Sequence, residues 1–487
     1  MHLPMSGHAR MRTAPEGSGG RFVRNSLLLL FAEMASKVFG LAFFVVLARF
    51  VGAWDLGVYA YAFTIANFFV ILPRFGFERL AQKEIGRTNL LERSFLMEIT
   101  AIKGFLSVCV LLPLWVGLFL LKSRDIFVIT VVTLFAFQYS YMEFLNAIFR
   151  GLKRSEYEVI VRLFFSVTNV VAGAAILYAG FGLRAVVCSQ LVCITGAGAL
   201  ALLLLRRFMV IRPFTWSAHS LWKNTTAGAP FAGILLALYF SNQVGVLILS
   251  LLGSETEVGY FAAAMKLFDS VTLIAAAVMG AFLPTMSELH VTSGSTFSST
   301  LEFTMKYLFA ISAPIAVGMV VLAEPMARLL YGDSFLPSAE ALRVLGAAVV
   351  FAFWNYVADS VLIAVDRERL VFRLTCLGAG VHIAANLVLV PYYSYSGACW
   401  ATFATQVVYF LALFVYLREY IAAATLVRLA AKPALCALGM GWAVFLVKEW
   451  GVLQAIVVGA TVYATGLLVS GSIRIEEVRR LQQTIRR

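Results

Sequence analysis

Charge is what this sequence has least of. Asp, Glu, Lys and Arg make up 13% of its 487 residues, about half the roughly 25% with which a soluble domain holds its surface in water. That scarcity excludes a water-soluble globular protein. Long polar intervals are missing as well, so no soluble catalytic domain fits between the apolar runs. No phosphate-cradling loop is present, which excludes transport driven by nucleotide hydrolysis at such a loop. The six cysteines, Cys109, Cys188, Cys193, Cys376, Cys399 and Cys436, all fall in apolar runs without metal or redox spacing. They read as small apolar packing residues, and no metal site is expected. No small-residue cleavage site follows the first apolar run, so the first helix is expected to be retained rather than removed as a signal peptide.

What is abundant is apolar surface: 61% of the residues are hydrophobic and 14% aromatic, with a mean hydropathy of +0.87. About 20 such residues cross the hydrocarbon core as a helix. The chain therefore reads as an all-α polytopic membrane protein with about fourteen transmembrane helices. Apolar runs place them at 25–48, 56–73, 95–120, 125–149, 158–180, 183–205, 226–251, 257–284, 303–323, 340–364, 370–391, 396–417, 428–447 and 452–471.

Basic residues orient this map, because Lys and Arg in short loops gather on the cytoplasmic side. With the N-terminus inside, cytoplasmic segments hold 28 bases, and the opposite side holds six: Arg49, Lys122, Arg124, Arg184, Arg328 and Lys448. Both termini are thus expected in the cytoplasm of a multi-pass protein of the inner membrane. Anionic lipid accounts for the net charge of +13. The bases are scattered rather than gathered in one patch, so no nucleic acid is expected as partner.

The map contains an internal repeat. VGAWDLGVYAYA at 51–62 and LGSETEVGYFAAA at 252–264 each lead with Gly through a polar turn into Gly, an aromatic and small residues. Further on, Glu143 and Asp359 lie 216 residues apart, Asn169 and Asn386 lie 217 apart, and Gly182 and Gly397 open matching helices. Six helices per copy give both copies the same orientation, related by an axis along the membrane normal, which is a transporter architecture. The predicted organisation is a cytoplasmic tail at 1–24, an N-lobe at 25–205 and an inter-lobe linker at 206–225. A C-lobe at 226–417 follows, then two further helices within 428–471 and a basic tail at 472–487.

Five bases remain at membrane depth: Lys37, Lys103, Arg162, Lys266 and Arg343. A charge there is costly unless it meets a partner or water. Arg162 and Arg343 lie near span ends, where a long side chain can snorkel. Lys103 is about two turns in and reads either way. Lys37 and Lys266 lie roughly 14–18 Å deep at 1.5 Å per residue. Each has an acid at helical spacing, Glu33 before Lys37 and Asp269 after Lys266, so each pair shares one face. That face carries either a structural ion pair or a hydrated cavity. In a cavity, Lys37, Lys266, Lys103 and Arg162 would meet an anionic substrate, and Glu33 and Asp269 would carry a coupling cation, Na+ or H+. Glu143 with Asn146, and Asn355 with Asp359, form a second matched set. Glu143 and Asp359 are further coupling-ion candidates, against plain hydrogen bonding between the two copies. His382 reads as a polar packing residue, against the alternative of a proton carrier, and Asn67, Asn242 and Gln243 read as packing residues likewise.

The chain resembles the bacterial polysaccharide transporters, of the superfamily that also holds the multidrug and toxin extruders and the lipid II flippase. The matching stretches are RNSLLLLFAEMASKVFGLAFFVVLARFVGAWDLGVYAYA (24–62), FGFERLAQKEIGR (75–87), IFRGLKRSEY (148–157) and ANLVLVPYYSYSGACWATFATQ (385–406). The resemblance implies two six-helix lobes that open alternately around a cationic central cavity. It implies a flippase for undecaprenyl-pyrophosphate-linked oligosaccharide rather than an enzyme, with no cofactor beyond a coupling ion. The implied partners are the lipid-linked oligosaccharide, membrane lipids, and a glycan polymerase and glycosyltransferases. A multidrug antiporter or lipid II flippase of the same fold are the rivals. A membrane-embedded glycan polymerase or ligase is the rival of another class, and the short external loops count against it.

Overall fold

The computed structural model describes residues 18–88, 90–120, 125–210 and 243–472. Its helices are α1 (Ser18–Arg74), α2 (Phe77–Thr88), α3 (Arg93–Leu120), α4 (Ile126–Gly151), α5 (Ser155–Tyr178) and α6 (Leu183–Leu205). After them come α7 (Gln243–Leu252), α8 (Glu255–Thr292), α9 (Gly294–Val321), α10 (Ala323–Tyr331), α11 (Ser338–Ala364), α12 (Glu368–Leu417), α13 (Ala423–Val447) and α14 (Val452–Val469). Among the described residues, eleven helices are long and apolar enough to cross a membrane.

Two of the eleven are double. α1 has 57 residues and α12 has 50, lengths of about 85 and 75 Å if straight, against a hydrocarbon core of about 30 Å. Both are broken by one non-helical residue, Gly52 at φ 79° in α1 and Ser394 at φ 50° in α12. The first and second expected spans are thus the two limbs of α1, and the eleventh and twelfth those of α12, each pair joined by a kink rather than the expected loop. Most of the seventh span, 226–251, lies outside the described residues, as do Asn242, 1–17 and 473–487.

Other boundaries differ in one direction. Helix begins already at Ser18, and α8 runs on to Thr292, beyond the expected end at 284. Hydropathy ends a span where polarity begins, but backbone hydrogen bonding continues as long as no breaker intervenes. α2 and α10 were expected as polar intervals and are short amphipathic helices. α2 buries Phe77, Ala81 and Ile85 against α4, where Ile85 lies over Gly151. A short parallel ladder, Leu91–Glu92 with Met209–Val210, ties the segment after α6 back to the N-lobe.

The repeat is visible as a symmetric contact. A β-carbon built on Gly57 would overlap the carbonyl oxygen of Glu255, and one built on Gly259 would overlap that of Ala53. Gly57 and Gly259 are equivalent residues of the two sequence copies, and so are Ala53 and Glu255. When residue i meets j' and j meets i', the contact sits on a two-fold axis. α1 and α8 therefore cross on the axis that relates the lobes, and glycine is required there because backbone lies against backbone.

Candidate substrate and ion sites

Beyond that crossing, α1 and α8 carry the deep charges. Lys266 is eleven residues into α8, about 16 Å from its start, and its Nζ lies 5.5 Å from the centre of the Phe44 ring of α1. Lys37 is exposed one turn past Glu33, which is exposed too. Among the described residues, neither Glu33 with Lys37 nor Lys266 with Asp269 closes an ion pair. Lys37 nevertheless lies near enough to both Lys266 and Asp269 for their charges to act on one another. Three charges from the two lobes thus lie within electrostatic reach of one another.

Asp269 also opens onto a cavity of about 420 Å³ inside the C-lobe. Its wall includes Asp359 and Asn355 from α11, and Thr375, His382, Thr405 and Tyr409 from α12. Asp359 Oδ1 accepts a 2.7 Å hydrogen bond from the Tyr409 hydroxyl. Asn355 Nδ2 donates to Gln406 Oε1 at 2.7 Å, while its buried Oδ1 has no partner. His382 Nδ1 meets the Thr405 hydroxyl at 3.1 Å, and its Nε2 meets Asn386 Nδ2 at 3.2 Å. Two carboxylates and several hydroxyl and amide oxygens make this wall an oxygen-rich donor set, which suits a hard cation or a proton.

The charges of the N-lobe are gathered differently. Arg162 donates from Nη2 to Glu143 Oε2 at 2.8 Å and from Nε to Glu158 Oε1 at 2.9 Å. Arg150 adds a 3.5 Å ion pair to Glu158, and Asn146 Nδ2 reaches Glu143 Oε1 at 3.5 Å. Lys103 is buried and donates to the Pro73 carbonyl oxygen and the Ser140 hydroxyl, both at 2.9 Å. The structure therefore brings Lys37, Lys266 and Asp269 together. It places Lys103, Arg162 and Glu143 in the N-lobe network and Asp359 in the C-lobe cavity, and it shows no contact that joins Glu33 to any of them. The hydrogen bonds of Glu143 and Asp359 run between helices of one lobe, not between the copies. Arg343 pairs with Glu324 near the end of α11.

Sequence reading missed Tyr409, Gln406, Thr405 and Thr402, although a signal existed: at i, i+3, i+4 and i+7 they draw one polar stripe on an otherwise apolar helix. It missed Glu158 too, which stands one helical turn before Arg162.

A family model described as polysaccharide biosynthesis protein matches residues 22–290. Over 269 residues the chain is 23% identical to a Shigella dysenteriae protein named "Putative O-antigen transporter", covering 54% of this chain and 66% of that one. The chain spans less than two thirds of the length of the curated relatives first matched, 34% and 66%. Among solved structures, the lipid II flippase MurJ in an inward closed conformation superposes with a TM-score of 0.72 at 15% identity, over 92% of this chain and 98% of that one. An inward-facing multidrug resistance MATE family transporter of the MOP superfamily gives 0.63 at 15% identity, over 80% and 95%. At such identity these likenesses concern the fold.

Proposed function

The chain belongs to the polysaccharide biosynthesis protein family, and from that premise we propose that it is a flippase carrying undecaprenyl-pyrophosphate-linked oligosaccharide from the cytoplasmic to the outer leaflet by alternating access. The family and the structural neighbours are transporters of lipid-linked or multidrug substrates, not enzymes. The finer reading rests on one observation: Lys37 and Lys266, from opposite lobes, lie within electrostatic reach of each other and of Asp269. A pyrophosphate crossing about 30 Å of hydrocarbon needs its charge matched on the way. Two ammonium groups supply that match as point charges on flexible stems, able to follow a moving headgroup. The polyprenyl tail stays in lipid.

Energy enters through a cation, Na+ or H+, carried by Asp359 and Asp269 in the C-lobe cavity. Both termini lie on the cytoplasmic side of the inner membrane, where the glycosyltransferases that build the glycan are the partners expected to deliver substrate, and a glycan polymerase takes the product outside. The test is export of the lipid-linked glycan in cells carrying Lys37→Ala with Lys266→Ala. Loss of both cations is expected to lower export at least about tenfold, the effect of about 1.4 kcal/mol per decade, with protein levels unchanged. Export at the wild-type rate would overturn the assignment.

A further inference from the structure

The internal repeat pairs the two lobes residue by residue, and the pairing is more exact than the charges it carries. Glu143 matches Asp359 at a separation of 216, and Gln190 matches Gln406 at the same separation. Gln190 is bonded to Tyr59 and Gln406 to Asn355. Asn169 matches Asn386 at 217. Carried through this register, Arg162 falls on Gly378 or on Ala379, and both are small residues in the wall of the C-lobe cavity. Glu158 falls on Leu374 or Thr375, neither of them charged.

The same place in the two lobes is therefore filled in one and vacant in the other. In the N-lobe, a guanidinium reaches in from α5 and pairs with Glu143 Oε2 and Glu158 Oε1 together. In the C-lobe the carboxylate is kept as Asp359, the arginine is replaced by a residue with no side chain or a methyl, and about 420 Å³ of space is left. A water occupies about 30 Å³ of liquid, so the space holds a cation with part of its hydration shell. Asn355, 5% exposed, lines this space with an Oδ1 that has no partner. Buried oxygens without a hydrogen-bond partner also occur in the N-lobe, at Asn146, Glu158 and Asn169, so it is the missing arginine beside Asp359, and not the orphan acceptor alone, that distinguishes the C-lobe.

We propose that Arg162 is the N-lobe's built-in counter-ion, permanently filling the place that the C-lobe keeps vacant for an exchangeable monovalent cation, so that only one of the two copies responds to cations. The C-lobe half of this inference rests on the coupling reading given above; the N-lobe half does not. The asymmetry gives a two-fold protein one ion-sensitive lobe, and it turns on two side chains, Arg162 and Glu158.

The experiment uses the full chain, purified in lipid nanodiscs, with thermal stability read at constant ionic strength in sodium, choline or guanidinium chloride at low millimolar concentration. Arg162→Ala is expected to lower Tm and to recover it in guanidinium alone, while the wild type shows no such gain. Adding Glu143→Gln and Glu158→Gln to Arg162→Ala is expected to abolish the rescue, because no anion is left to hold the free ion. Gly378→Arg and Ala379→Arg tether a cation in the C-lobe and are expected to remove the cation dependence of the wild-type Tm. Two positions are used because a side chain at Gly378 meets the Tyr409 ring at 3.2 Å, and the Ala379 variant carries the test if the first fails to fold. Arg162→Ala left unrescued by guanidinium would overturn the N-lobe assignment. A wild-type Tm indifferent to every cation would overturn the C-lobe half and, with it, the Na+ form of the coupling reading, while leaving proton coupling and the lysine test of glycan export untouched.

Discussion

Tyr409 shows what a single hydroxyl does inside this bundle. It donates to Asp359 at 2.7 Å and meets Thr375 at 3.2 Å, so a carboxylate facing a cavity is held in one orientation. A hydrogen bond to a charged acceptor contributes about 1.5–3 kcal/mol. Tyr409→Phe keeps the ring that packs on Gly378 and removes the hydroxyl with its bonds to Asp359 and Thr375. It is expected to lower the free energy of unfolding by about 1.5–3 kcal/mol in the wild type and by about 1 kcal/mol or less in an Asp359→Asn background, where the acceptor is neutral. A double-mutant cycle measured by denaturant unfolding reads the difference directly; equal losses in both backgrounds would mean that Asp359 is not the partner that matters. At this scale the sequence was legible where spacing is local. Glu33 with Lys37 and Lys266 with Asp269 could be placed on shared faces, but the 19 residues between Glu143 and Arg162 and the 50 between Asp359 and Tyr409 belong to helix packing, which no local pattern encodes.

Among elements, the crossing of α1 and α8 bears most on transport. Its backbones touch at Gly57 and Gly259, and the seam is reinforced below by Phe44 against Tyr331, ring centres 6.4 Å apart, and above by Arg49 donating to the Leu329 carbonyl oxygen. For the lobes to open on this side the glycine contact must separate. An added methyl would be tolerated in the open arrangement and not in the closed one. Overpacking of a tight contact costs about 1–3 kcal/mol, which at about 1.4 kcal/mol per decade shifts the ratio of the two states by about five- to a hundredfold. Gly57→Ala and Gly259→Ala are accordingly expected to disfavour closure, and cysteines at Ala53 and Glu255, one turn from the crossing on each helix, are expected to be joined by a short bifunctional thiol reagent readily in the parent and poorly in the alanine variants. Undiminished cross-linking would show that the backbones are not held this close. The glycines were legible as motif, since VGAWDLGVYAYA and LGSETEVGYFAAA were recognised as matching copies. That the copies touch each other was not, because an equivalence between two segments says nothing about which surfaces they turn toward the axis. The kinks at Gly52 and Ser394 were likewise hidden, since a span and its continuation have the same apolar composition.

For the whole molecule, the arrangement of these elements fixes which side reaches the charged space. The α1–α8 seam, α10 and the Phe44 and Tyr331 rings close the side that carries Arg49 and Arg328, the base-poor side of the positive-inside count. Lys37 lies about 22 Å along α1 from the kink at Gly52, past the seam, and is exposed there together with Asp269. On the proposed reading, water and solutes reach this pair from the base-rich side, the one read as cytoplasmic. Lys37→Cys is expected to react with a membrane-impermeant maleimide in inside-out vesicles and to stay protected in right-side-out ones. Combined with Gly57→Ala, the same cysteine is expected to gain labelling from the outside, because the lobes then spend more time apart on that face. If Lys37→Cys labels equally from both sides in the parent, the seam does not seal; if Gly57→Ala leaves the pattern unchanged, the seam is not the barrier whose opening exposes the site. The two outcomes separate a permanently leaky pore from a gate located elsewhere, and both differ from the alternating access that a two-lobed bundle with its charges on the inner side of one closed crossing requires.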